Sequence, residues 1–152
     1  MIPQEIILIA AVTVDGYVAR HSLEVTSWSL DLELFKKQTT GYPVIMGSNT
    51  QKTLYKDLVD RKTIIVNRGQ NPEEILGQIS SSRCFIIGGG KTYYLFAPFL
   101  THLYITPHPY VFGKGIPLFD GYEVNEMSLV FEKMVEFDKP NGVFQYQYKV
   151  IK

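Results

Sequence analysis

The stretch Cys84-Phe85-Ile86-Ile87-Gly88-Gly89-Gly90-Lys91-Thr92-Tyr93-Tyr94 decides the reading of this chain. An apolar run that empties into three glycines and then into helix-forming residues describes a buried strand, a tight turn and a helix start. Glycines there let backbone N–H groups come close to an anion, and the positive end of the helix dipole favours a diphosphate. The spacing differs from the G-x-G-x-x-G dinucleotide fingerprint, and no Gly-Lys-Ser/Thr of a P-loop follows. The plain alternative is a strand-to-helix turn that holds no ligand.

Working outward, the same alternation recurs. Ile6 to Val12 (IILIAAV) is a continuous apolar run, the mark of a strand buried on both faces. Ser29 to Thr40 reads as a helix, with Leu30, Leu34 and Phe35 at helical spacing, Ser29 as N-cap and Gly41 as its end. Pro43 to Gly47 reads as a second buried strand, Ser48 to Tyr55 as a short helix and Lys62 to Asn67 as a third strand. Asn71-Pro72-Glu73-Glu74 combines a cap, a proline at the first helical position and acids in the first turn. Cys84 to Ile87 is the fourth strand, a helix follows the glycines to about Leu100, and His102 to Thr106 is the next strand. Such alternation builds βαβ units and a largely parallel sheet.

The last quarter changes character. Met127 to Phe137 and Val143 to Ile151 read as long strands joined by Asp138-Lys139-Pro140-Asn141-Gly142, and Asn-Gly is a hairpin signal. Phe144, Tyr146, Tyr148 and Val150 share one face, with Gln145, Gln147 and Lys149 on the other. The expected fold is α/β: a mixed, mostly parallel sheet flanked by helices, with a C-terminal antiparallel hairpin, in a single domain over residues 1–152.

Composition bounds the function. The 152 residues carry 15 Lys+Arg against 15 Asp+Glu, so the formal net charge is zero. That balance argues against a broad electrostatic grip on nucleic acid or an acidic membrane. With 45% hydrophobic residues a sizeable core can form, and no apolar stretch reaches the length of a membrane span. Cys84 is the one cysteine, which excludes an internal disulfide and points to a reducing, cytoplasmic location. The first residues, Met1-Ile2-Pro3-Gln4-Glu5, lack the basic region and cleavage site of a signal peptide.

Asp31 is the second candidate for chemistry. It falls in the first turn of a helix, four residues before Phe35 and so on its side. A carboxylate there can accept two hydrogen bonds from an amidine-like ring edge; the plain alternative is an acid that merely suits the helix dipole. Glu33 faces elsewhere. Thr13 to Trp28 is a long polar connection containing the Asp15-Gly16 turn signal and ending at the only tryptophan, and it reads either as a lid or as a linker or disordered stretch. Arg61 and Arg68 flank the third strand as candidate anion ligands or solvated charges, and Asn67-Arg68 sits at a strand's carboxyl end, where open α/β sheets bind ligands. His102 and His108 read as ordinary polar or core histidines, because no third ligand stands at metal spacing; no metal is expected.

Taken in order, these segments resemble the dihydrofolate reductase superfamily. The resemblance runs through Ile9-Ala10-Ala11 with Asp15-Gly16, and through Asp31-x-x-x-Phe35-x-x-x-Thr39 with Gly41-Tyr42-Pro43-Val44-Ile45-Met46-Gly47 and Thr50. It continues through Arg61 to Val66, Ile86-Ile87-Gly88-Gly89-Gly90 with Tyr93, and Leu103-Tyr104-Ile105-Thr106. By that resemblance Asp31 holds the amino-pyrimidine edge of a pterin and supports its protonation. Leu32, Phe35 and Trp28 lie beside the substrate, Thr106 bonds near its amino group, and Arg61 meets a glutamate carboxylate. NADPH is the implied cofactor. Ala11 and Ile87 border its nicotinamide, and Gly88, Gly89, Gly90, Lys91 and Thr92 cradle its diphosphate together with Thr50. Gly47, Asn67 and Tyr93 complete that side, and Arg68 reads the 2′-phosphate. The family's cis peptide between two glycines maps to Gly88-Gly89.

The chain also departs from the pattern. Ser27-Trp28 replaces the usual Pro-Trp, and Trp28 stands only three residues before Asp31. Ser48 stands where many members carry arginine. Phe112-Gly113-Lys114-Gly115-Ile116-Pro117-Leu118-Phe119 looks more like the reductase domain of riboflavin biosynthesis, as does Asn141-Gly142-Val143 with Tyr146. The leading expectation is hydride transfer from NADPH to dihydrofolate. The alternatives are reduction of a ribosylaminopyrimidine phosphate, or a related reductase of unknown acceptor, and a nucleotide-binding module without turnover. The implied partner is a small molecule, with no nucleic acid or membrane, in a monomer or homodimer.

Overall fold

The computed structural model describes residues 2–25, 27–53 and 61–152. Its centre is the strand β1 (Glu5–Thr13), where Ile6 to Ala10 are all buried. A strand with no polar face has to be covered from both sides, and its neighbours supply the cover. Alternate residues feed two clusters. Ile6, Leu8 and Ala10 pack with Ile86, Leu76, Phe96 and Leu100; Ile7 and Ile9 pack with Val44, Met46 and Phe85, and Phe35 and Tyr42 lean on these.

The chain then gives β2 (Tyr17–Ala19), α1 (Leu32–Thr39), β3 (Val44–Gly47) and α2 (Ser48–Thr53). After them come β4 (Thr63–Val66), α3 (Pro72–Gly77), β5 (Arg83–Gly88), α4 (Gly90–Phe96), β6 (His102–His108), β7 (Ile116–Pro117), β8 (Ser128–Asp138) and β9 (Val143–Ile151). Seven strands form one sheet in the order β4-β3-β5-β1-β6-β9-β8, and β2 and β7 form a small antiparallel pair. The strands from β4 to β6 run parallel, and β9 pairs antiparallel with both β6 and β8. The α/β architecture, the mostly parallel sheet and the terminal hairpin are as expected.

Several boundaries differ, each for a local reason. The first helix starts at Leu32 with Asp31 in the N-cap position, and the Ser29 hydroxyl donates to Asp31 Oδ1 (2.7 Å) instead of capping. The helix after the glycines stops at Phe96 and tightens into a 3₁₀ turn over Ala97–Phe99, because Pro98 cannot continue the ladder. Asn71 caps α3 through the Glu73 N–H (2.8 Å), as its sequence predicts. The short helix expected over Ser48 to Tyr55 is α2 as far as Thr53, and its last two positions lie outside the described residues. The hairpin connection, within the expected Asp138-to-Gly142 stretch, is a 3₁₀ turn, Lys139–Asn141, followed by Gly142 at φ 70°.

The two faces of β9 carry an unexpected distribution. Gln145 and Gln147 are buried, and the Gln38 and Gln145 amides bond reciprocally (2.7 and 2.9 Å) while Gln147 donates to Gln145 Oε1 (2.9 Å). This ladder ties α1 to the hairpin through buried polar groups that satisfy one another. β8 lies at the sheet edge with Leu129, Val130, Phe131 and Met134 exposed, and bulges near Phe131/Lys133 and Glu136/Asp138 irregularise it. Bulges and central charges blunt such an edge against further pairing.

Among the described residues no helix is long and apolar enough to cross a membrane. Burial pushes the Cys84 thiol up to about 12, so it packs as a protonated, inert side chain. Phe85, fully buried between β1, β3 and Tyr104, tests the core: Phe85→Ala is expected to cost about 3–5 kcal/mol of stability. The check is chemical denaturation, with the midpoint lowered and the slope unchanged.

Candidate active site

The carboxyl ends of β1, β3, β4 and β5 open onto one cleft of about 1120 Å³. Chain reversal at this end of the sheet leaves a crevice beside β1, whose two parallel neighbours β5 and β6 lie on opposite sides. β1 contributes Ile9, Ala10 and Ala11 to the lining, and β5 contributes Ile87 and Gly88.

One wall comes from turns that start helices. Gly89, Gly90, Lys91, Thr92 and Tyr93 line the cleft at the start of α4, and Gly47, Ser48, Asn49 and Thr50 line it at the start of α2. Asn67, Arg68, Gly69 and Gln70, the turn after β4, close that side. The Gly88-Gly89 peptide is cis. Gly89 caps α4 with no side-chain cap, at φ −83°, and the nearest protein atom to a Cβ there is Thr50 Oγ1 at 3.5 Å. Neither the protein's backbone geometry nor its packing requires glycine at this position.

The opposite wall carries Asp31, Leu32, Phe35, Trp28 and Ser29. Asp31 is 5% exposed, and Oδ1 accepts from Ser29 Oγ. The Tyr93 hydroxyl crosses behind the cleft to donate to the Ile9 carbonyl (2.7 Å). Burial first, and the Asp31 charge second, raise the Tyr93 phenol well above its usual range, so it stays a donor. Thr106, paired with Ala11 across β6 and β1, is fully buried, and its Oγ1 has no hydrogen-bond partner. A buried, unpartnered hydroxyl next to a cleft is costly unless a ligand or water serves it.

Most of the sequence-predicted residues therefore converge on one cleft, and two stand outside its lining. Thr106 sits behind Ala11. Arg61 reaches the C-terminal half of α1, with Nη2 3.4 Å from the Lys36 carbonyl oxygen and its guanidinium 5.9 Å from the Phe35 ring centre. A cation is drawn to the exposed carbonyls of a helix end. Among the described residues no cluster of His, Cys, Asp or Glu can hold a metal; His102 Nε2 faces Glu132 at 3.5 Å, and His108 is buried behind Asp31.

The segment read as a long polar connection is more built than its composition suggests. It contains β2, and Asp15 anchors its start: Asp15 accepts from Thr13 Oγ1 (2.6 Å), Phe112 N (3.2 Å) and Gly113 N (2.8 Å). The Arg20 guanidinium pairs with Glu24 and lies 4.3 Å from the centre of the Phe112 ring, and Trp28 stands edge-on to Phe112 at 5.3 Å. Gly115, at φ 148°, lies so close to Ala19 that a Cβ would fall 2.3 Å from its carbonyl oxygen. Gly115 thus serves β2–β7 packing, and Gly113, at φ 75°, turns the chain where its N–H meets Asp15. Ser48, Asn49, Gln70, Glu24 and Asp120 also line the cleft and went unremarked or unassigned in the sequence, because short polar residues in turns carry no periodic signal.

A crevice at the carboxyl edge of a parallel sheet, with a helix start that has no side-chain cap on one wall and a buried carboxylate among apolar side chains on the other, has the form of a nucleotide-binding enzyme site. The model of the dihydrofolate reductase family matches residues 5–151, a span that takes in the divergent 112–119 run. A dihydrofolate reductase of Bacillus subtilis (strain 168) is 32% identical over 135 residues, covering 80% of this chain and 79% of its own length. A type 3 dihydrofolate reductase of Salmonella typhimurium is 30% identical over 65% of this chain and 68% of its own. In fold, the chain superposes over its full length on a dihydrofolate reductase from Enterococcus faecalis complexed with NADP(H) and RAB-propyl, with a TM-score of 0.70 at 21% identity. The chain belongs to the dihydrofolate reductase family and is an oxidoreductase.

The Asp15 clamp makes a pH prediction. Its hydrogen bond from Thr13 leads in lowering the Asp15 carboxyl below its ordinary 3.8, with the Gly113 and Phe112 N–H groups adding and burial opposing. A depressed carboxyl stabilises the fold above the unfolded value and loses that contribution as pH falls through the folded one. Hydrogen-exchange protection at Phe112 and Gly113 is therefore expected to hold at neutral pH and to fall in that acid window. Asp15→Ala is expected to lower it at every pH.

Proposed function

We propose that residues 1–152 act as one reductase domain that reduces dihydrofolate to tetrahydrofolate with NADPH, and that Asp31 is the residue that holds the pterin. The observation that carries this is the placement of Asp31: a 5%-exposed carboxylate at the start of α1, on the wall of a cleft whose other wall is built from uncapped backbone N–H groups. A carboxylate so placed binds the two N–H donors of an aminopyrimidine edge as a fork and holds the ring in one orientation. Leu32 and Phe35 cover the ring faces and exclude water, and the unpartnered Thr106 hydroxyl takes a hydrogen bond at the same edge. Trp28 borders the far side.

The cofactor fits the residues present. Gly89 offers an N–H and space to a diphosphate, with Gly90, Lys91 and Thr92 beside it, Thr50 Oγ1 stands 3.5 Å from the Cβ position of Gly89, and Ala11 and Ile87 form an apolar floor for the nicotinamide; at Gly90 a Cβ would fall 2.5 Å from the Pro117 carbonyl oxygen, so that glycine serves packing against β7. Arg68, exposed on the turn after β4, meets the 2′-phosphate, with Asn67 beside it. When bound there, NADPH supplies the hydride. The chain's own part is to align two rings, keep water out and hold a carboxylate able to support protonation of the pterin.

The riboflavin-type alternative draws on the 112–119 run and on Asn141-Gly142-Val143 with Tyr146. Gly113 and Gly115 in that run serve the Asp15 clamp and the approach of β2, and the folate-reductase family match spans the segment. With zero net charge, the partner is a small molecule rather than nucleic acid, and one chain supplies every residue named. A cytoplasmic location accords with a single, buried thiol.

The decisive assay is NADPH oxidation by purified protein with dihydrofolate as sole acceptor. Asp31→Asn is expected to lower kcat by about a hundredfold or more while NADPH affinity barely changes. No turnover in the wild type with NADPH still bound, or equal turnover in the variant, overturns the assignment. Arg68→Ala is expected to weaken NADPH far more than NADH in a fluorescence titration, and similar losses for both remove Arg68 from cofactor choice.

A further inference from the structure

Behind the wall that carries Asp31, one buried imidazole is hydrogen-bonded at both ring nitrogens. His108, the last residue of β6, is 1% exposed. Its Nδ1 lies 2.8 Å from the Thr106 carbonyl oxygen, which can only accept, so Nδ1 carries the hydrogen. Its Nε2 lies 2.9 Å from the Leu30 backbone nitrogen, which can only donate, so Nε2 presents a lone pair. Together the two bonds assign the neutral tautomer. The 3.8 Å between Nε2 and Asp31 Oδ1 is then no ion pair, since a lone pair faces the carboxylate, and Oδ1 takes its hydrogen bond from Ser29.

The bond to Leu30 falls one residue before Asp31. Leu30 precedes α1, so its N–H has no helical carbonyl to meet, whereas the Asp31 carbonyl accepts the first helical bond, from Phe35 N (2.9 Å). Asp31 is therefore fixed on its C-terminal side by the helix and on its N-terminal side by the imidazole. Trp28 stands perpendicular to the same ring, 5.4 Å between centres, so the imidazole also backs an indole that lines the cleft.

We propose that His108 is a positioning residue, a neutral brace from the Thr106 carbonyl to the Leu30 N–H that sets the Asp31 carboxylate and the Trp28 indole in the cleft. The proposal rests on the reading of Asp31 as the pterin's partner. Its side chain is sealed from solvent and reaches substrate only through these two residues. A histidine chosen for bulk alone would not need both nitrogens matched, one to an acceptor two residues back and one to a donor 78 positions away.

Two variants separate bracing from packing. His108→Gln keeps a donor and an acceptor on one side chain, and His108→Leu keeps only volume. With rates referred to folded, NADPH-binding sites, His108→Leu is expected to lose about tenfold in kcat at unchanged NADPH affinity, and His108→Gln to recover most of it. Equal kcat in all three proteins, or equal losses in both variants, overturns the proposal. A long-range proton–nitrogen spectrum of histidine-labelled wild type is a second readout, independent of turnover. It is expected to show Nδ1 protonated and Nε2 bare at neutral pH, and the reverse tautomer or an imidazolium overturns the brace. A wild type that leaves dihydrofolate unreduced overturns the functional reading instead. The nitrogen spectrum, with the shift of the Leu30 amide signal in His108→Leu, then decides the brace alone.

Discussion

The burial of β1 on both faces is the constraint on which the rest depends. Five consecutive buried residues, Ile6 to Ala10, cannot lie at an edge or under a single layer. They draw β5 and β6 to either side, α3 and α4 over one face and α1 over the other. The same requirement puts the carboxyl end of β1, where the side chains shrink to Ala10 and Ala11, at the open end of the sheet. Small side chains at that point leave room for a ligand to lie against the strand. The core and the cleft floor are thus two ends of one strand.

What lines the cleft then divides by chemistry. On one side, strand ends pass into helix starts, of which α4 has no side-chain cap; on the other, a helix presents an acid and apolar side chains. Uncapped donors and a buried carboxylate are each costly in an isolated fold. Asp31 is partly served by Ser29, and its neighbouring peptide by His108, whereas the Thr106 hydroxyl is left without a partner. A polar group left in that state beside a cavity is where a ligand adds most, because it completes hydrogen bonds that folding did not.

The segment from Asp15 to Trp28 is joined to the run from Tyr110 to Pro117 by a short sheet, a carboxylate accepting from backbone N–H groups, and an aromatic cluster of Trp28, Tyr110 and Phe112. Residues nearly a hundred positions apart cover the cleft together. The unusual 112–119 glycines belong to that joint.

Patterns confined to one strand or one turn were legible from the sequence alone. The apolar run of β1, the Phe85-to-Gly90 turn, the Asn71 cap and the alternation of β9 each report a backbone state set by neighbours within a few residues, and their order implied a mostly parallel sheet with a terminal hairpin. Asp31 and the glycine turn were legible as candidates for the same reason: the chemistry of each is carried by its own short motif. Only the tertiary structure decided that they face one cleft, that Arg61 turns to the end of α1 and that Gln145 and Gln147 are buried. It also decided that His108, which reads as an ordinary histidine, is bonded between two distant backbone groups. Hydrogen bonds across long sequence separations depend on where whole elements pack, and periodicity carries no record of them.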